Sequence, residues 1–315
     1  MNNPKYLVLA TVILWSLGPL LTRLISINSQ LLSLDILFFF TFIFFLITTV
    51  VHYKSAFLPK IKKFPVAFLF FGLFGYFFYY LGLVQSFHLF NSASEPAILN
   101  YTFPLFTVIF TEIWFGRKIK RAIGIRIVEY LGVLIGFFAI VILATKGEVT
   151  TLQFTNVPAV LWGLSAGVAY ALFSVYSSLV KKEDQSIFLL ASIFSSLILA
   201  CIITIPEFPE LRMVSPNVFV ANALLAIIIN GFGYLFWTRA NRVASEKNIS
   251  IATVASLLLI IPFLGLIIIA FTLKETELFH PYFLVSLGLI TTSSLLCQKS
   301  AVIYSFLQAS SKTTT

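Results

Sequence analysis

Apolar runs of about twenty residues follow one another along this chain, separated by short polar breaks. Ten of them stand near 6–27, 31–52, 64–90, 93–115, 124–144, 157–180, 186–205, 217–238, 249–273 and 281–303. A helix needs about 20 mostly apolar residues to cross a bilayer, so each run predicts one spanning helix. The breaks carry the charge, as in KSAFLPKIKK (54–63), KKEDQ (181–185) and PEFPELRMVSP (206–216). The third and fourth runs are parted only by FNSASEP (90–96), where Pro96 and small polar residues end one helix and open the next. The first run follows a short start with a single Lys and no clear cleavage site, which predicts a retained helix rather than a signal peptide.

Composition agrees with the pattern. The 315 residues are 59% hydrophobic and 10% charged, whereas soluble domains carry about 25% charged residues. Such a chain cannot cover a water-facing surface, so the expected fold class is an all-α polytopic membrane protein whose standing partner is the lipid bilayer. The formal charge of +9 does not call for nucleic acid. With the first residue on the cytoplasmic side, 17 of the 21 Lys and Arg fall on cytoplasmic segments, which is the usual membrane bias. Both termini are therefore expected in the cytoplasm, in a bacterial-type cell inner (plasma) membrane.

One phrase occurs twice. FGYFFYY (74–80) returns as FGYLFWT (232–238), 158 positions later, and the register continues without a gap through Ser92/Ser250, Ala97/Ala255 and Leu99/Leu257 to Pro104/Pro262. The third and fourth helices thus correspond to the eighth and ninth, giving repeats of five helices. Five is odd, so the second copy enters the membrane from the opposite side. The expectation is two inverted repeats, residues 1–150 and 151–305, followed by a polar cytoplasmic tail at 306–315. Inverted repeats are the architecture of many secondary transporters, with the site near the midplane between the halves.

Candidate chemistry sits in helix interiors. Pro104 and Pro262 have no N–H to donate, so the carbonyls of Asn100 and Leu258 lose their helical partners. Hydrocarbon does not tolerate such orphans, which belong where substrate, water or protein can meet them. Asn100, Pro104, Thr107 and Thr111 share one helical face, either toward a cavity or toward a packed neighbour. Trp15, Tyr76, Tyr79, Tyr80, Tyr101, Tyr170 and Trp237 are mid-span, away from the interfaces where Tyr and Trp usually gather. Together they could wall a cavity for a flat or cationic substrate. Glu95 is the single carboxylate between Phe64 and Thr111. It reads equally as a proton or amine site and as a first-turn charge that complements the helix dipole. Arg23 and Asp35 could pair at the outer ends of helices one and two, or Arg23 could snorkel to the interface or hold a substrate carboxylate, and Arg126 could pair with Glu129 at i, i+3. His52, His88 and His280 lack a second ligand at metal spacing, and Cys201 and Cys297 lie in separate apolar runs, so neither a metal nor a disulfide is expected. Only two Asp occur, Asp35 and Asp184, and there is no phosphate-binding glycine loop. Paired-aspartate and ATP-hydrolysing enzymes are thereby excluded, and no cofactor is implied.

Ten helices in two five-helix repeats resemble the drug/metabolite transporter superfamily, EamA type. In that family a proline in helices four and nine is followed thirteen residues later by an acidic end. Here Pro262 leads to Lys274-Glu275, while Pro104 leads to Gly116-Arg117, a departure in the first half. The opening ILWSLGPLLTR (13–23) fits as well. Glu95, Asn100, Tyr101 and Pro104, with GFGYLFW (231–237), look most like the aromatic amino acid exporter branch. The resemblance implies a secondary active transporter moving small amphipathic metabolites by alternating access, amino acids first among them. Its cavity would lie among helices 1, 3, 4, 6, 8 and 9, lined by Trp15, Tyr79, Asn100, Tyr101, Tyr170 and Trp237, with Glu95 as a candidate for proton coupling. A carrier for adenosine-containing or cationic compounds, and a channel or lipid scramblase, stand as alternatives.

Overall fold

The computed structural model describes residues 3–22, 30–90, 94–115, 122–152, 154–249, 251–273 and 280–313. They are helical almost throughout, with no strand among the described residues. Among the described residues ten helices are long and apolar enough to cross a membrane: α1 Pro4–Leu21, α2 Gln30–Ile61, α3 Ala67–Leu89, α4 Glu95–Trp114, α5 Ile123–Ala144, α6 Val157–Leu179, α7 Lys182–Met213, α8 Pro216–Glu246, α9 Thr253–Thr272 and α10 Pro281–Gln298. An eleventh, α11 Ser300–Thr313, follows. The chain is an all-α integral membrane protein.

Local sequence explains where the helices start. Asn3 accepts from the Lys5 N–H ahead of Pro4, and Asn156 accepts from the Ala159 N–H ahead of α6. Asn156 also donates to the Leu89 carbonyl at 2.9 Å, so one side chain caps the end of α3 and the start of α6. Several ends run further than the hydropathy pattern predicts. Residues 54–61 and 206–213, expected as breaks, wind on as helical or tighter turns, and α8 continues eight residues past 238. The expected polar tail from 306 is likewise part of α11. Hydropathy marks where lipid stops, but backbone hydrogen bonding carries a helix on into water. Arg242, buried in that extension of α8, pairs with Glu246 at 2.6 Å.

Five spans are irregular in their interiors. α1 turns at Leu17 before Gly18-Pro19, and α4 breaks at Tyr101-Thr102 just ahead of Pro104. α9 tightens over Ser256–Ile260 before Pro262. α3 and α8 are π-helical over Phe74–Phe78 and Ala226–Gly233. A wide π turn misaligns carbonyls from their N–H partners and leaves them open to side-chain donors.

Packing follows from small residues. α5 lies along α10 because Gly132 and Gly136, four apart, place bare backbone where a Cβ would strike Cys297 and Ser293. The main core joins α1, α2, α3, α6, α7, α8 and α9 around Phe38, Tyr76, Phe173, Phe188, Tyr234 and Trp237. α3 packs on α6 and α7, and α8 packs on α1 and α2. At Gly75 a Cβ would enter the Phe173 ring, and at Gly233 it would enter the Trp15 indole. Arg126 makes an ion pair with Glu112 of α4 at 2.9 Å, and Glu129 accepts from Ser300 at 3.2 Å. Asp35 accepts a hydrogen bond from Thr204 of α7, and Arg23 lies outside the described residues.

Candidate functional site

A cavity of about 400 Å³ lies between the helices, in the half of the protein that holds the carboxyl end of α1. Its wall comes from α1, α3, α4, α6, α8 and α9, with Leu37 of α2. These are the six helices expected to surround a cavity.

The irregular turns shape it. Gly18 and Pro19 retract the α1 backbone, and the break in α4 presents Asn100 and Tyr101. The π turn of α8 does more. Trp15 Nε1 donates to the Ile229 carbonyl at 3.0 Å, and the Tyr76 hydroxyl donates to the Asn230 carbonyl at 3.4 Å. In return Tyr234 donates to the Gly75 carbonyl in the π turn of α3 at 2.8 Å. The Asn230 side chain links Tyr80, which donates to Oδ1 at 2.6 Å, to Thr41, which accepts from Nδ2 at 3.4 Å. Tyr76 and Tyr234 stack with ring centres 4.4 Å apart and planes 20° from parallel.

Aromatic rings make the floor. Tyr170 meets Trp15 edge-on at 5.9 Å, Tyr79 at 4.8 Å and Phe103 at 5.1 Å. Offset and edge-to-face arrangements of this kind are the favourable ones for aromatic pairs. No charged side chain stands among the described residues of the wall. Two polar atoms there have no hydrogen-bond partner: Asn100 Oδ1 and the Tyr170 hydroxyl. Buried polar groups are nearly always satisfied, so these two, facing a cavity, are available to a ligand there.

Of the residues singled out in the sequence, Trp15, Tyr79, Asn100, Tyr101 and Tyr170 line the cavity. Trp237 does not. It is fully buried behind Trp15, ring centres 6.3 Å apart, and its N–H is spent on Ser174 Oγ at 3.0 Å. Glu95 also stands outside the wall, buried in the first turn of α4. Pro104 and Pro262 act on the backbone rather than as wall residues. The polar face of α4 does not extend along the cavity, since Thr107 and Thr111 donate to the carbonyls of Phe103 and Thr107. Tyr80, one of the mid-span aromatics, lines it as well, and lining residues not singled out as wall residues include Pro19, Asn230 and Tyr234. Asn230 had a signal, as the one polar side chain in AIIINGFG directly before the repeated phrase. No metal-binding cluster of His, Cys, Asp and Glu occurs among the described residues.

No protein-family model matches the chain, and no curated protein matches it. Sixteen chains of solved structures do. One, described only as "Crystal structure of protein", superposes with a TM-score of 0.74 over 93% of this chain and 95% of its own, at 18% identity. The fold is therefore one already seen in a solved structure, and at that identity the likeness speaks of fold alone.

Proposed function

We propose that this protein is a secondary transporter of the drug/metabolite type, built from two inverted five-helix repeats and working by alternating access. The observation that carries the proposal is the aromatic cavity between broken and π-bulged helices, open to a ligand at Asn100 and Tyr170 and closed beneath them. Irregular backbone at membrane depth is tolerated where it lines a cavity, and transporters place their sites there.

The repeat reading is supported by which residues meet. At the offset of 158, Tyr76 corresponds to Tyr234, and these two rings stack on each other. Gly75 corresponds to Gly233, and Trp15 to Phe173. Phe173 fills the space at Gly75, and Trp15 fills the space at Gly233. Helix contacts exchange in the same way: α3 with α6 answers α8 with α1, while α2–α7 and α5–α10 map onto themselves. In this reading residues 1–150 and 151–305 are intertwined halves and both termini are cytoplasmic.

Substrates are small amphipathic metabolites with a flat apolar part, aromatic amino acids being the first candidates and export the direction. The ring faces of Tyr79, Tyr101, Tyr170 and Trp15 take the flat part, and Asn100 takes a polar one. A wall without fixed charge favours, as the second reading, a cationic or nucleoside-like solute held by ring faces and the Asn100 oxygen. Energy comes from a solute or ion gradient, since nothing in the chain resembles a nucleotide-hydrolysing site.

Counterflow tests this directly. Proteoliposomes loaded with unlabelled tryptophan or phenylalanine should transiently accumulate the labelled compound, and Asn100→Ala should abolish most of that accumulation. Absence of counterflow for amino acids, cationic amines and nucleosides alike, from folded protein, would sink the carrier proposal.

A further inference from the structure

A second cavity pair lies away from the central one, where α2 ends and α7 begins. One hollow of about 440 Å³ is walled by Pro59, Lys60, Lys63, Phe64 and Asp184 among others, and it opens at the charged end of the helices. The next, about 210 Å³, is walled wholly by apolar side chains, from Ile61 and Phe64 to Phe42 of α2 and Phe194 of α7. Phe64 and Ile187 border both, so the two hollows adjoin. Phe42 and Phe194 close the far end with ring centres 5.9 Å apart, and Phe194 is half exposed toward the bilayer.

We propose that this groove binds one anionic phospholipid, its acyl chain between α2 and α7 and its phosphate against Lys60 and Lys63. The inference does not rest on the transport proposal. Charge and polarity argue for the occupant. The mouth carries two lysines against one carboxylate, Asp184, which Lys60 meets at 2.7 Å. Lys63 has no ion-pair partner among the described residues. Lys54 and Lys62 stand on the same short basic segment, 54–63. A basic segment at the end of a spanning helix attracts anionic lipid. The apolar hollow beyond it excludes a soluble anion as the full occupant, because a free phosphate would leave that surface bare. From Ile187 to Phe194 the groove runs about 10 Å along α7, room for an extended stretch of acyl chain.

Native mass spectrometry of the full purified chain tests this. Phosphatidylglycerol, phosphatidylcholine with the same acyl chains, and glycerol 3-phosphate would each be titrated. Phosphatidylglycerol is expected to be retained several-fold better than phosphatidylcholine, with glycerol 3-phosphate not retained. Lys63→Gln, a surface change, should cut that preference about fivefold, the factor that goes with one lysine near an anionic headgroup. Asp184→Asn should act in the opposite direction, by removing the opposing carboxylate and releasing Lys60. Lys299→Gln, remote in sequence, should change nothing. Equal retention of the two lipids, or an unchanged preference in Lys63→Gln, overturns the proposal. Retention of glycerol 3-phosphate to the same degree would make the site one for soluble anions.

Discussion

Two ends of the same helix contact differ in how their polar groups are satisfied. Toward the carboxyl end of α1, the space between α1, α6 and α8 opens into the aromatic cavity, where Asn100 Oδ1 and the Tyr170 hydroxyl find no partner. Toward its amino end, α8 is zipped to α6 and α7. Trp237 donates to Ser174 at 3.0 Å, Asn241 to Ser177 at 3.5 Å, and Gln185 to the Thr238 carbonyl at 3.0 Å. Even here Asn241 keeps its Oδ1 bare, and the Asn241–Ser177 bond is long. The difference teaches what alternating access would require of this fold. One end holds polar groups without a protein partner, and the other holds polar contacts that such a cycle would have to part. Interhelical hydrogen bonds in membranes contribute only about 0.6 to 2 kcal/mol each, so separating three of them is within reach of a substrate's differential binding.

The sharpest way to break the comparison is at the glycines that bring the two ends together. Gly233→Val would drive a branched side chain into Trp15, and overpacking of this sort costs about 1–3 kcal/mol or more. A clear fall in Tm in detergent and loss of counterflow are expected. An unchanged Tm would mean that the α1–α8 approach is looser than described.

Next in size is Asn100→Ala. Its Oδ1 has no protein partner to lose and its side chain otherwise meets the Tyr79 hydroxyl, so Tm should fall by no more than a few degrees, while counterflow falls about tenfold through one missing substrate hydrogen bond. A large drop in Tm with transport intact would make Asn100 a structural residue. Trp237→Phe sharpens the closed end. It keeps an aromatic filler and removes the donor to Ser174, worth about 1 kcal/mol. In a background without the native cysteines, a cysteine at position 177 should then react about fivefold faster with a small thiol reagent. The smallest effect belongs to Glu95→Gln. Because Glu95 stands off the cavity wall, counterflow should hold within about twofold, and its ratio between pH 6 and pH 8 should match the parent. A collapse of that ratio would return Glu95 to the mechanism.

Much of this was legible along the chain, and the reasons differ by feature. The ten spans are a local property: bilayer thickness demands about 20 apolar residues wherever a helix crosses. The breaks at Pro104 and Pro262 are local as well, since a missing N–H acts on its own helix. The π turns were not legible. Nothing in AIIINGFG or FGYFF calls for them, and they persist where Trp15, Tyr76 and Tyr234 donate from neighbouring helices into the carbonyls they expose. Of the two tryptophans expected in the wall, one is there and the other lies behind it. They were indistinguishable in sequence because Phe-rich helices are apolar on every side and carry no stripe that tells which face turns inward.

Residue order alone thus determined that this chain is a polytopic helical membrane protein, how many times it can cross, and which residues echo at an interval of 158. Each follows from lipid thickness or from self-comparison, with no need to know which helices touch. Only the tertiary structure decided that Tyr76 meets Tyr234, that Asn230 ties Tyr80 to Thr41, and that a basic groove forms between α2 and α7. Those facts depend on the rotation of each helix about its axis, and in a bilayer, where every face is apolar, that rotation is set by close packing at glycines and by a few buried hydrogen bonds.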